Sequence, residues 1–291
     1  MPLLINADDF GLTPGVNRSV AELHQAGALT SATLMSTGTY FDDAVRVAQA
    51  NPALEVGCHI QLVDGTPALP VAQIRSLCPG GRQFRVGLTA LVRDLYIGRV
   101  CASEVEAEAT AQILRLQDAG LRVSHIDTHK HTHVFPRILR PLLGAAQACG
   151  VTAIRNPFEP AWARRATPAS SLPRNAAVAA LGVHRPAFLR LVEEAGIATT
   201  SGAIGVLATG TADPSAVLRG LLAAVPQREE AWELVCHPGY PDAALDRVRT
   251  RLRASRGQEH AALLELIPTG GVPLGSWNRL EDHGTTGRPR A

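Results

Sequence analysis

Short apolar runs of strand-like composition alternate with amphipathic, helix-like runs from one end of the chain to the other. Leu3–Ala7 is the first strand. Across Gly15–Gln25, Val16, Val20 and Leu23 recur at helical spacing, and Gly27 just beyond reads as a stop. The alternation predicts further strands over Ala28–Ser36, Leu54–Leu62, Arg122–Thr128, Val151–Arg155, Thr199–Val206 and Trp232–Cys236, with Gly271–Leu274 as a short eighth. Helices are predicted over Tyr40–Ala50, Ser103–Asp118 (Ser103 as N-cap), Pro136–Cys149, Asn175–Ala195 and Pro241–Ser255, and one opens at Asp213-Pro214 as an N-cap followed by an N1 proline. Two stretches break the pattern. Val63–Gly87, with its glycines and prolines, reads as a long loop or lid, and Ala161–Arg174 as a Pro/Ser/Ala-rich excursion. The polar tail Glu281–Ala291 reads as frayed, which leaves residues 1–280 as one domain.

Seven or eight β/α units imply an α/β fold, either a barrel or a doubly wound sheet. No Gly-x-Gly-x-x-Gly follows the first strand, so the dinucleotide-binding version lacks its signature. Asp8/Asp9, His59, Asp127/His129, Arg155 and His237 all fall at C-terminal strand ends, the rim on which barrel enzymes place their chemistry. The expectation is a variant (β/α)7–8 TIM-like barrel.

Composition narrows the functional classes. Hydrophobic residues make up 46% of 291, enough for a substantial core. The 28 basic and 26 acidic residues nearly cancel, and no basic stripe interleaved with aromatics offers a face to nucleic acid. Five cysteines without a Cys-x-x-Cys pair read as reduced thiols of a cytoplasmic protein, and no apolar stretch is long enough for an integral membrane segment.

The chemistry concentrates in a few places. Two adjacent aspartates, Asp8 and Asp9, end the first strand, and His125-Ile126-Asp127-Thr128-His129-Lys130-His131-Thr132-His133 carries four histidines in nine residues. Carboxylates and imidazoles at the ends of separate strands are what a divalent cation requires, if the fold brings them together. On a regular strand Val123, His125, Asp127 and His129 share one face. The alternation does not choose which imidazole binds: His131 and His133 are candidates to orient the site or contact substrate, and His125 to hold Asp127. If His59 faces the site, its neighbour Cys58 faces the helix layer, and the same parity applies to Cys236-His237. Adjacent carboxylates point the same way only where a strand turns, here into Phe10-Gly11. One aspartate would hold the cation and the other take a proton from water. His237, facing such a centre, suits protonation of a leaving amine. Arg155 is either an oxyanion or substrate contact or a strand-end salt-bridge former.

The segments Asn6-Ala7-Asp8-Asp9-Phe10-Gly11 with Asn17, Gly57-Cys58-His59-Ile60-Gln61-Leu62, His125 to His133, and Cys236-His237-Pro238-Gly239 occur in that order between residue 3 and about residue 255. Together they resemble the YdjC-like carbohydrate deacetylases, a family that includes chitooligosaccharide and hopanoid-associated deacetylases. The resemblance implies a variant barrel and metal-dependent removal of acetyl from an N-acetylated amino sugar, on an oligosaccharide or a glycolipid. It maps the metal onto Asp9, His59 and His129, the base onto Asp8 and the acid onto His237, with a looser match at Arg155. Arg155, Asp127, His131 and His133 are the expected substrate-side residues. Magnesium or zinc heads the candidate metals, followed by manganese, cobalt and nickel, and a homodimer is the expected assembly. Val63–Arg99 and Phe158–Arg174 carry no usable resemblance, so the sugar stays open. Two rivals remain. A metal-dependent phosphoesterase on a similar barrel would want a second metal about 4 Å away and basic residues for phosphate. A non-catalytic sugar-binding protein would want aromatic platforms, and aromatics are only 4% of residues.

Overall fold

The structure is a computed structural model that describes residues 3–167, 172–226, 230–269 and 271–283. Its eight strands are β1 Leu3–Phe10, β2 Ser31–Leu34, β3 Glu55–Ile60, β4 Val123–Thr128, β5 Ala153–Ile154, β6 Ala198–Thr199, β7 Gly202–Ile204 and β8 Trp232–Cys236. They form one parallel sheet in the order β6-β5-β4-β3-β2-β1-β8-β7. Except for β6 and β7, which form the two ends of the order, successive strands are neighbours and the first lies beside the last, the order of a barrel. β6 and β7 are two halves of one extended passage broken at Thr200-Ser201. The first half pairs with β5 and the second with β8, so the chain itself bridges the remaining seam. This is an α/β barrel variant, as the alternating pattern predicts.

Among the described residues ten helices clothe the sheet: α1 Pro14–Gln25, α2 Phe41–Ala50, α3 Leu88–Tyr96, α4 Ala102–Asp118, α5 Pro136–Ala148, α6 Ala161–Arg165, α7 Leu172–Leu181, α8 Arg185–Glu194, α9 Pro214–Ala224 and α10 Ser255–Leu266. Local chemistry sets several of their starts. Thr13 Oγ1 accepts from Val16 N ahead of Pro14, and Asp213 Oδ1 accepts from Ala216 N ahead of Pro214. The expected N-cap at Ser103 is displaced: α4 starts at Ala102 with Cys101 in the cap position and no side-chain cap bond. The helix expected over Pro241–Ser255 is absent. That segment is a loop with one short turn, Leu245–Arg247, and α10 begins where the expected helix ends. Its polar groups bind locally instead. Asp242 takes the amides of Gly15 and Leu245, and the Arg253 guanidinium takes the carbonyls of Leu245, Asp246 and Val248.

Val63–Gly87 is a loop, as expected, but a stitched one. Ile74, Leu77, Cys78 and Phe84 are buried beneath it, and the Glu108 carboxylate on α4 receives the amides of Ala68 and Leu69. Gly271–Leu274 supplies a single parallel bridge, Leu3 to Leu274, in place of a full eighth strand. Of the tail, 284–291 lies outside the described residues, and no helix among those described is long and apolar enough to cross a membrane.

Candidate active site and metal centre

Asp8 and Asp9 close β1, 2% and 4% exposed. Asp9 has φ of 65°, in the left-handed region, and the β1–β2 register slips between Ala7 and Phe10. That local reversal cancels the strand's alternation, so both carboxylates face the same space. Across from them, His59 on β3 and His129 just past β4 complete a triangle. Asp9 Oδ1 lies 3.6 Å from His59 Nε2 and 3.4 Å from His129 Nδ1, and the two ring nitrogens are 3.3 Å apart. Three ligands placed about 2.1 Å from one tetrahedral ion stand about 3.4 Å from each other, so these atoms fit a cation between them. The donor chemistry agrees, since Asp9 Oδ1 is buried without a hydrogen-bond partner among the described residues. The other Asp9 oxygen accepts from Arg256 Nη2 at 2.5 Å. Burial alone would raise the Asp9 carboxyl, but the Arg256 charge and His129 hold it well below the usual range.

His59 is oriented from behind. Its Nδ1 is 2.7 Å from Asp127 Oδ1 and 3.3 Å from Thr33 Oγ1, which turns Nε2 toward the triangle. A carboxylate behind an imidazole is the usual way a metal-ligating histidine is fixed. Burial opposes the imidazolium, but the Asp127 carboxylate and the nearby Asp8 and Asp9 raise His59 to about 9.

Beneath the triangle lies a second tier centred on Arg155, which is 0% exposed. Its guanidinium grips Asp8 through both carboxylate oxygens (2.8 and 2.6 Å), reaches Glu233 Oε1 at 2.8 Å, and pairs with Asp127. Burial opposes the ionised Asp8, yet Arg155 and His59 hold its carboxyl far below the usual range. Glu233, with the poorest share of the same cation, is pushed up to about 7 by burial. The expectation that Arg155 and Asp127 contact substrate gives way here, because full burial leaves neither with surface to offer. The alternative reading of Arg155 as a salt-bridge former fits its position.

The remaining expected residues separate clearly. His237, after β8, sets Nε2 3.8 Å from Asp8 Oδ2, and its backbone amide is fixed by Glu259. Its ring is partly exposed, and Nδ1 is buried without a hydrogen-bond partner among the described residues. His131 is half-buried at the mouth with φ of 51°, and burial together with Arg155 lowers it to about 3. His133 is fully buried and bonded through Nδ1 to Thr128 Oγ1 at 2.6 Å.

His125 does not hold Asp127. A register shift between β3 and β4 pairs Val56 with Val123 but Cys58 with Ile126, so one extra β4 residue sits between these pairs. The shift turns Val123 onto the face of Ile126, while His125 keeps the barrel-facing side that it shares with Asp127 and lies deep in the barrel. There a Cβ on Gly57 would lie 2.5 Å from its ring, a space that only glycine leaves open. Cys58 and Cys236 are both buried, as strand parity required.

Glu233, Arg256, Asn6 and Thr33 escaped the sequence reading as site residues. Glu233 carried a signal, a lone carboxylate within the apolar run Trp232–Cys236. Arg256 carried none, being one arginine of a surface-like stretch. At the rim stands Lys130, the chain's single lysine, with φ of 57° and ion-paired to Asp64 of the 63–87 loop.

The chain is similar to proteins named carbohydrate deacetylase. That of Brevibacillus brevis is 41% identical over 148 residues, covering 50% of this chain and 56% of the relative. That of Listeria monocytogenes is 41% identical over 129 residues, covering 44% and 51%. The matched stretch thus spans about half the length of these curated relatives. A crystal structure from Enterococcus faecalis, of a protein whose name assigns it to cellobiose-phosphate cleavage, superposes with a TM-score of 0.74 at 25% identity, covering 96% of this chain and 98% of that one. A lactam utilization protein of Thermus thermophilus shares the fold, with a TM-score of 0.53 at 16% identity over 95% of this chain and all of that one. The family model described as YdjC-like protein matches residues 2–266, and the chain belongs to that family.

Proposed function

We propose that this protein is a metal-dependent carbohydrate deacetylase that releases acetate from an N-acetylated amino sugar. The observation that carries the reading is the triangle of Asp9 Oδ1, His59 Nε2 and His129 Nδ1 at 3.3 to 3.6 Å, directly above an ionised Asp8. The names of the relatives support the substrate class. Asp9, His59 and His129 would hold one divalent cation, which when bound polarises water and the acetamide carbonyl. Two imidazoles and a carboxylate suit zinc, and they also accept magnesium, manganese, cobalt or nickel.

The chain's own groups supply the rest. Arg155 fixes both oxygens of Asp8, which sets the carboxylate that would take the proton of the attacking water beside the triangle. Asp127 holds the His59 tautomer with Nε2 toward the centre. His237, 3.8 Å beyond Asp8, is placed to protonate the departing amine. His131 is the histidine of the cluster that a substrate at the mouth would meet first, and Lys130 with Asp64 lines the same rim.

A phosphoesterase reading draws on the name of the Enterococcus neighbour. Against it, Arg155 and Arg256 are both occupied by carboxylates, and Lys130 is paired with Asp64. The deciding experiment loads the purified protein with each of the five metals and measures acetate from N-acetylglucosamine oligomers beside phosphate from sugar phosphates. Acetate release that a chelator abolishes and metal restores is expected. Phosphate release alone, or no product from any acetylated sugar, overturns the reading.

A further inference from the structure

The matched family span ends at residue 266, yet the chain continues into the floor of the barrel. Leu3 N donates to Pro273 O and Gly275 N to Leu3 O, each at 2.9 Å, which lays residues 273–275 against the start of β1. The Glu55 carboxylate then caps the next turn, accepting from Ser276 Oγ and Trp277 N at 2.5 and 2.7 Å, and from Asn278 Nδ2 at 2.5 Å. Trp277 is thereby driven into the barrel. It is buried, its ring stacks on His125 with centroids 3.8 Å apart and planes 8° from parallel, and its Nε1 donates to Ser31 Oγ at 3.1 Å.

From Ser31 a hydrogen-bond chain climbs to the site. Ser31 Oγ donates to Asn6 Oδ1 at 2.7 Å, and Asn6 Nδ2 donates to Asp8 Oδ1 at 3.0 Å and to Thr33 Oγ1 at 3.2 Å. Its polarity is fixed at both ends. An indole N–H only donates, so Ser31 receives it and directs its single proton at Asn6. That contact makes the Asn6 atom facing Ser31 the carbonyl oxygen, which leaves the amide nitrogen pointing at Asp8. An ionised carboxylate only accepts, so the chain closes without a conflict. Remove the indole donor and the Ser31 hydroxyl is free to rotate away from Asn6, so the amide that donates to Asp8 loses its anchor from below.

We propose that Trp277 is a positioning residue for Asp8, acting through Ser31 and Asn6 by anchoring this donor chain from below. The claim rests on the proposed function only for its kinetic readout. Trp277→Phe keeps the stacking surface and removes only the N–H, so kcat is expected to fall about tenfold with KM held within about twofold. Ser31→Ala, a smaller change, is expected to do the same, and the double variant to be no slower than the worse single one.

A readout independent of turnover is the indole N–H resonance in the unloaded protein. The other two tryptophans, Trp162 and Trp232, have no hydrogen-bond partner on Nε1 among the described residues, so the Trp277 signal is separable. It is expected to move in Asp8→Asn and in Ser31→Ala and to stay in place in His237→Gln. An indole signal indifferent to Asp8→Asn overturns the relay whatever the protein's substrate. So does wild-type kcat in a folded Trp277→Phe.

Discussion

Two tiers of the same barrel hold much the same residue types and treat them differently. In the lower one Arg155 lies among Asp8, Asp127 and Glu233 while Asn6, Ser31 and Thr33 fill the remaining directions. Most donors there meet acceptors, and Glu233 Oε2 is the unmatched exception in the group. In the upper tier Asp9 Oδ1 and two imidazole nitrogens converge at 3.3 to 3.6 Å, and the carboxylate oxygen is left without a donor. A carboxylate whose oxygens are matched supports the fold; an oxygen left open, as Asp9 Oδ1 is beside its Arg256-paired Oδ2, faces what is still to bind. The lower tier reads as a fixed base plate, the upper as a receptor for a cation.

The comparison is broken or sharpened by removing one member from each tier. Arg155→Met leaves three buried carboxylates without their cation and should cost about 3–5 kcal/mol in urea unfolding, with or without metal. His129→Ala removes a group that is 22% exposed and should change metal-free stability by less than about 1 kcal/mol. The same change should nonetheless lower metal-supported acetate release about 10³-fold, about 4 kcal/mol in the barrier. Equal losses of metal-free stability in the two variants would erase the distinction between the tiers.

A subtler test uses pH on the lower tier. Burial raises Glu233 from 4.5 to about 7, so the folded protein binds a proton there that the unfolded chain has released. Its contribution is therefore most favourable below 4.5, declines as pH rises through 7, and is flat beyond, a total of up to about 3 kcal/mol. Glu233→Gln should abolish that decline in the metal-free protein, read from urea midpoints across the range. Smallest is His237→Gln, which should slow acetate release about 10²-fold, about 2.7 kcal/mol, with metal content unchanged.

Much of this was legible without coordinates because strand ends and strand period are local properties. The clustering of Asp8, Asp9, His59, His129 and His237 at the ends of apolar runs places them on one rim as soon as a barrel is assumed. Alternation failed where the backbone departs from it. The extra β4 residue redirects Val123 away from the face of His125 and Asp127, and the left-handed Asp9 turns two neighbouring carboxylates the same way. Arg256 and Trp277 escaped for another reason. Each acts through a partner hundreds of positions away, Asp9 across 247 residues and Ser31 across 246, and no local pattern records that.

By itself, then, the chain determined its period, its alternation of strand and helix and the kinds of ligand atom that reach the rim, since these follow from neighbours in sequence. Only the folded barrel decided which carboxylate oxygens are paired and which remain open. That depends on where single cations such as Arg155 come to rest, 147 residues from Asp8 and 78 from Glu233, and a buried charge is governed by what surrounds it in space.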